Sequence, residues 1–165
     1  MFGLFHKKVE TESYDHHLYS PADGRLENIT SASDPVFSKK LMGDGFVIFP
    51  TAGQIVSPVA GVVTMIAETK HAIGIKTNGN QDVLIHLGID TVNLNGLPFE
   101  LSIRNGDTVR GGMEIATMDL EQVRAANLSS EILVIFMKSE GEIPSAQIAL
   151  KTGVYHQGDV VGRFG

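Results

Sequence analysis

Two histidines stand where a chain that only needed to fold would have put something apolar. His71 lies in "TKHAIGIKT" (69–77) and His86 in "VLIHLGIDTV" (83–92). An imidazole titrates near neutral pH, so among apolar neighbours it is either satisfied by hydrogen bonds or put to use. Three chemistries are open to the pair. Each ring could be a partly buried group bonded to backbone. The two could be ligands of a metal such as zinc, with Asp90 a candidate third ligand, although an open zinc site takes three protein ligands and a closed one four. Or one ring nitrogen could attack an electrophile while the other ring stabilises charge beside it, with a hydroxyl such as Thr69 fixing the second ring's tautomer. A phosphoryl group suits the last arrangement, because neutral imidazole is nucleophilic near pH 7.

The elements that must carry these rings read as strands. With period two, Val83, Ile85, Leu87 and Ile89 share one continuous aliphatic face, and Leu84, His86, Gly88 and Asp90 share the other. His86 is therefore expected on the face opposite the core stripe, beside the gap left by Gly88. Upstream, "NG" at 78–79 is a strong two-residue hairpin signal. A turn centred there pairs residue 75 with 82, 73 with 84 and 71 with 86, making His71 and His86 direct cross-strand neighbours roughly 5 Å apart at Cβ. Centring the turn on Gly79 and Asn80 instead would set His71 opposite Gly88.

Similar short runs recur along the chain: "FVIFP", "GVVTMIA", "EILVIFM" and "DVVGRF", separated by "PADG", "GDG", "PVAG", "NGD", "GG" and "QGD". Short strands at this spacing predict an all-β sandwich or barrel-like single domain. One or two short helical turns are expected, the candidates being one after Pro35 in "DPVFSKKLM" and one behind the Asp119 cap of "DLEQVRAAN". "YSPADGRLENI" (19–29) and "VSPVAGVVTMI" (56–66) echo one another, each placing Ser-Pro shortly ahead of a Gly that opens a strand.

The chain has 165 residues, 18 of them Gly, no Cys, and a net charge of −6 with pI near 5.4. The length fits one domain: a flexible N-terminal tail over 1–17 and an ordered domain over 18–165. The acidic balance argues against nucleic acid, whose phosphates demand a basic face. The lack of Cys removes disulfides, thiolate metal sites and cysteine nucleophiles, and fits a reducing cytoplasm. No apolar run reaches the roughly 18–20 residues of a membrane span. The tail's Phe2, Leu4 and Phe5 with Lys7 and Lys8 allow at most weak contact with a membrane surface.

"LIHLGIDTV" (84–92), "TKHAIGIKT", "DPVFSKKLMGDGFVIFPT" (34–51) and "IVSPVAGVV" (55–63) together resemble the glucose-type enzyme IIA component of the bacterial phosphoenolpyruvate-dependent sugar phosphotransferase system, from about Leu18 to the C-terminus. The resemblance implies an antiparallel β-sandwich with a shallow apolar depression around two histidines. It places the phosphorylated histidine at His86, with phosphate on Nε2. His71 falls at the partner that bonds the phosphoryl group, and Thr69 at the residue that supports that partner. Gly88 falls where a backbone carbonyl takes the nucleophile's Nδ1. No cofactor is required for such a relay.

The resemblance also implies the partners. The phosphocarrier HPr would deliver the phosphoryl group, and a cysteine on an enzyme IIB domain would receive it. With neither Cys nor a membrane span in this sequence, that acceptor and its permease are expected on other polypeptides, with transfer in trans in the cytoplasm. The docking patch is expected at Pro35, Val36, Phe37, Leu41, Met42, Ile73 and Leu84, with Asp34 and Asp90 as rim charges. Two departures stand out. Asn80 replaces a Gly common before the histidine strand, and Ala67 and Ile73 stand where some relatives carry Phe.

Two other readings compete. "IVSPVAGVVTMI" and "NGDTVRGGMEIATMD" are similar to segments of biotinyl or lipoyl carriers, but those need a Lys at an exposed hairpin tip and here Met118 is followed by Asp119. A regulatory module could use the same two-histidine surface, with zinc on His71 and His86 closed by a partner's carboxylate. The sugar is not legible.

Overall fold

The apolar alternation read from the sequence builds a core enclosed by three antiparallel sheets. The computed structural model describes residues 14–139 and 146–165. Numbered in chain order, the strands are β1 (His17–Tyr19), β2 (Gly24–Asn28), β3 (Gly43–Pro50), β4 (Gln54–Val56), β5 (Gly61–Ile66), β6 (Ala72–Lys76), β7 (Asp82–Leu87), β8 (Phe99–Leu101), β9 (Thr108–Val109), β10 (Glu114–Met118), β11 (Ile132–Met137), β12 (Ile148–Leu150), β13 (Gly153–Tyr155) and β14 (Val160–Phe164). An eight-stranded sheet runs β13-β2-β3-β11-β7-β6-β5-β9, and two three-stranded sheets run β4-β10-β8 and β1-β14-β12. This is the expected all-β antiparallel class. The expected boundary at Leu18 falls inside β1, and the apolar and basic residues proposed for membrane contact (Phe2 to Lys8) lie outside the described residues. Among the described residues no helix is long and apolar enough to cross a membrane.

All three sheets contribute to one buried cluster, with Leu18 and Phe164 from one, Ile55, Phe99 and Ile115 from the second, and Leu26, Phe46, Ile85 and Val134 from the third. The central strands β3 and β11 are apolar on both faces. Leu133 and Ile135 turn away from that cluster and pack with Ile29, Val47 and Phe37 in a second one. Its cover is a 3-10 turn, Ile29–Ser31, and the four-residue helix α1, Pro35–Ser38. α1 starts where Pro35 pre-sets the backbone and the Asp34 carboxylate accepts from the Val36 N–H at 2.8 Å. Helix α2, Leu120–Ala125, is capped in the same way by Asp119, which accepts from Gln122 N–H at 3.0 Å. Met118 is buried and Asp119 is spent on that cap, so no exposed modifiable tip exists there.

The two Ser-Pro segments take one conformation. Ser20 Oγ donates to Ala22 O at 2.8 Å and Ser57 Oγ to Val59 O at 2.6 Å, both serines being buried. The segments also bond each other reciprocally, Tyr19 N–H to Pro58 O and Val56 N–H to Pro21 O. The echo in sequence is thus a local twofold relation in space.

The β6–β7 register departs from both sequence-based expectations by one residue. Thr77 N–H donates to Gln81 O and Asn80 N–H to Thr77 O, both at 2.9 Å, and Asn80 sits at φ 69°. The loop therefore holds three residues, Asn78 to Asn80, the last left-handed, rather than two. Pairs run Lys76↔Asp82, Ile75↔Val83, Gly74↔Leu84, Ile73↔Ile85 and Ala72↔His86. A one-residue slip moves a side chain to the other face of the sheet. Ile73, expected on the docking patch opposite Leu84, instead faces Ile85 in the core and is 0% exposed. It can present nothing to a partner.

Candidate functional site

β7 delivers His86 to the outer face as alternation requires, with Val83, Ile85 and Leu87 buried and Leu84 and His86 half-buried. The strand ends at Leu87 because Gly88 turns left-handed at φ 78°. A Cβ there would lie 2.4 Å from Thr91 Cγ2 and 2.9 Å from Ser129 O, so both backbone and space demand glycine. The turn sends the Gly88 carbonyl back towards the ring, where His86 Nδ1 lies 2.7 Å from it. A carbonyl oxygen only accepts, so Nδ1 carries the proton and, in the neutral ring, Nε2 is left with its lone pair. Burial lowers the His86 pKa below its ordinary value. The charge of His71 acts in the same direction, while the Gly88 bond and the charges of Asp34 and Asp90 oppose it.

His71 reaches the site from a loop. Ala72, not His71, is the strand neighbour of His86. His71 ends the β5–β6 connection, where Lys70 at φ 60° bends the chain. Its carbonyl accepts from Leu87 N–H at 2.7 Å, which fastens the loop to the end of β7. Freed from strand alternation, the imidazole stands with its centroid 5.2 Å from that of His86, the rings edge to face at 76°. Thr69 Oγ1 lies 2.5 Å from His71 Nδ1. Burial lowers the pKa of His71 as well. The expected proximity of the rings is therefore present, but by way of a bent loop rather than cross-strand pairing.

α1 forms the opposite wall. Phe37 is 7% exposed, and its ring centroid stands 5.1 Å from that of His86. With Asp34, Val36, Ile89, Asp90 and Val92, these rings line a shallow depression of about 240 Å³. Of the expected patch, Val36 is 44% and Leu41 61% exposed, and Pro35 is exposed. Met42 and Leu84 are partly buried against the second apolar cluster. Ile73 is absent from the surface, as described above.

Sequence reasoning missed Ile89 and Val92. Strict alternation placed Ile89 on the core face, but the turn at Gly88 ends that alternation and Ile89 packs with the outer cluster instead. The glycine beside the histidine was the available signal. Among the described residues no three His, Asp, Glu or Cys side chains are arranged to hold a metal ion, so Asp90 does not complete a zinc site with His71 and His86.

Residues 16–141 match the family described as phosphoenolpyruvate-dependent sugar phosphotransferase system, EIIA 1. The chain is 42% identical over 127 residues to the glucose-specific EIIA component of Halalkalibacterium halodurans, covering 75% of this chain and 73% of that one. It is 39% identical over 145 residues to the glucose-specific EIIA component of Staphylococcus aureus strain COL, covering 88% and 86%. It is also 40% identical over 151 residues to the glucose-specific EIICBA component of Streptococcus pneumoniae serotype 4, of which it spans only 21%. Among solved structures, glucose permease IIA from Mycoplasma capricolum superposes with a TM-score of 0.80 at 33% identity, over 88% of this chain and 93% of that one.

Proposed function

The chain belongs to the EIIA 1 family of the phosphoenolpyruvate-dependent sugar phosphotransferase system, and from that premise we propose that His86 relays a phosphoryl group from phospho-HPr to a cysteine of an enzyme IIB domain. The observation that carries this reading is the 2.7 Å contact between His86 Nδ1 and the Gly88 carbonyl, which leaves Nε2 as the nucleophile. Nε2 attacks phosphorus in line as the bond to the carrier's imidazole nitrogen breaks, and the bonding pair leaves with that nitrogen. The His86 ring then bears a positive charge, with its Nδ1–H held by Gly88. Asp34 and Asp90, whose charges already favour a cationic His86, lie on the same depression.

His71 supplies the second group. With Thr69 donating to Nδ1, its ring keeps the proton on Nε2 and can donate to a phosphoryl oxygen. Phe37 covers one side of His86 and limits the approach of water. The second transfer forms a sulfur–phosphorus bond and returns the electron pair to His86 Nε2. The sequence contains no Cys, so the acceptor thiol comes from outside it. Apolar and exposed Val36 and Val92 line the depression, Leu41 is exposed just past α1, where its N–H bonds Val36 O, and such a surface suits partners that must dock and leave. This relay serves sugar uptake from the cytoplasmic side.

Incubation with phosphoenolpyruvate, enzyme I and HPr tests the reading. The expected product carries one acid-labile, base-stable phosphate that is lost in His86→Ala. Phosphate accepted by His86→Ala overturns the assignment.

A further inference from the structure

Glu131 is a carboxylate that the relay does not use, and it is 6% exposed. It stands one residue before β11. Ile132 pairs with Leu87 and Leu133 with His86, so Glu131 continues the ladder opposite Gly88. Its carbonyl accepts from Gly88 N–H at 2.7 Å. By alternation its side chain shares the face of Leu133, beneath the segment that leads into α1. There Oε2 accepts from Ser33 N–H at 3.1 Å and Oε1 from the Ser129 hydroxyl at 2.9 Å. Among the described residues no lysine, arginine or histidine forms an ion pair with it.

A buried carboxylate without a cation is a costly occupant of a strand end, where Val or Thr would pack at less expense. Its bonds join the two walls of the site. The main chain fixes the Gly88 turn that holds Nδ1. The side chain fixes Ser33, next to the capping residue Asp34 and just ahead of Phe37. A four-residue helix has no stability of its own, so the height of Phe37 above His86 depends on such anchors.

We propose that Glu131 is a positioning residue: its carboxylate holds the Ser33–Phe37 segment at the distance from His86 that lets a phosphoryl partner dock on Nε2. This rests on the relay role proposed for His86.

The test compares Glu131→Ala with Glu131→Gln. Glutamine keeps an oxygen for Ser33 N–H and can donate its amide to Ser129, whereas alanine keeps neither. The first readout needs no phosphate: nuclear Overhauser contacts between the Phe37 and His86 rings. They are expected to persist in wild type and Glu131→Gln and to be lost in Glu131→Ala. The second is transfer from phospho-HPr. The KM of Glu131→Ala for the carrier is expected to rise about tenfold at little changed kcat, with Glu131→Gln close to wild type. Unchanged ring contacts and KM in Glu131→Ala overturn the proposal. Should that variant not fold, Ser33→Pro removes the donor while leaving Glu131 in place; Ala32 before it is already extended at φ −63° and ψ 146°. Ring contacts and KM at wild-type level in Ser33→Pro are equally fatal. Failure of the wild type to take phosphate would count against the relay, while the ring contacts would still judge the anchor.

Discussion

The Nδ1 of His86 lies 2.7 Å from the carbonyl oxygen of Gly88, two residues further along the chain, and this contact decides which ring nitrogen is free. It exists because Gly88 takes a left-handed turn that no other residue could take in that space. A methyl group there would press on Thr91 and on the Ser129 carbonyl. Gly88→Ala is expected to cost about 1–3 kcal/mol of stability and to displace the His86 Nδ1–H resonance. Urea denaturation and imidazole NMR measure the two effects. A variant with unchanged midpoint and unchanged resonance would show that the turn does not hold the ring.

Thr69 touches His71 as Gly88 touches His86, but through a hydroxyl able to donate or accept. Thr69→Val keeps the shape and removes the bond. We expect His86 still to accept phosphate, with onward transfer to an enzyme IIB domain slowed about tenfold. His71→Gln is expected to show the same split. Normal onward transfer by both variants would take His71 out of the mechanism.

Burial lowers the pKa of both His86 and His71 from their ordinary value of 6.5. As pH falls below 6.5, the unfolded chain binds protons before the folded one does. Stability contributed by the neutral rings is thus complete above that value and declines as pH drops towards the lower, folded values. Wild type should lose more stability between about pH 7.5 and 5 than His86→Gln does. Unfolding free energies of both proteins at several pH values decide this; equal slopes would mean that burial does not hold His86 neutral.

Ile73 and Leu41 were expected on one surface, yet Ile73 is 0% and Leu41 61% exposed. Ile73→Ala is expected to destabilise by about 2–5 kcal/mol. Leu41→Ala should stay within about 0.5 kcal/mol of wild type while weakening capture of a phosphoryl partner. Thermal unfolding beside transfer kinetics separates the two. A stable Ile73→Ala would contradict its place in the core.

Much of this molecule is legible without coordinates. Period-two runs between turn residues yield the all-β class. Pro35 and the Asp119 cap mark both short helices, because such start signals depend on neighbours in sequence. Alternation alone sends His86 to the outer face, opposite Val83, Ile85 and Leu87. The quoted motifs carried the family as well.

The residues that misled were those whose position depends on one backbone torsion. "NGN" supports a two-residue or a three-residue hairpin, and the left-handed Asn80 selects the longer one. That single residue changes the partner of His86 from His71 to Ala72 and moves Ile73 from patch to core. Gly88 likewise turns Ile89 outward against the parity of its strand.

The sequence by itself determined the class of fold and the facing of His86, since both follow from local periodicity and turn chemistry; it brought the two imidazoles together only through a cross-strand register that the structure replaces with a bent loop. Tertiary structure alone decided what surrounds them. Phe37 over His86, and Glu131 bonded to Ser33 at a separation of 98 residues, arise when distant strands and loops pack. No local pattern encodes such contacts, because their energy depends on burial that exists only once the sheets have closed.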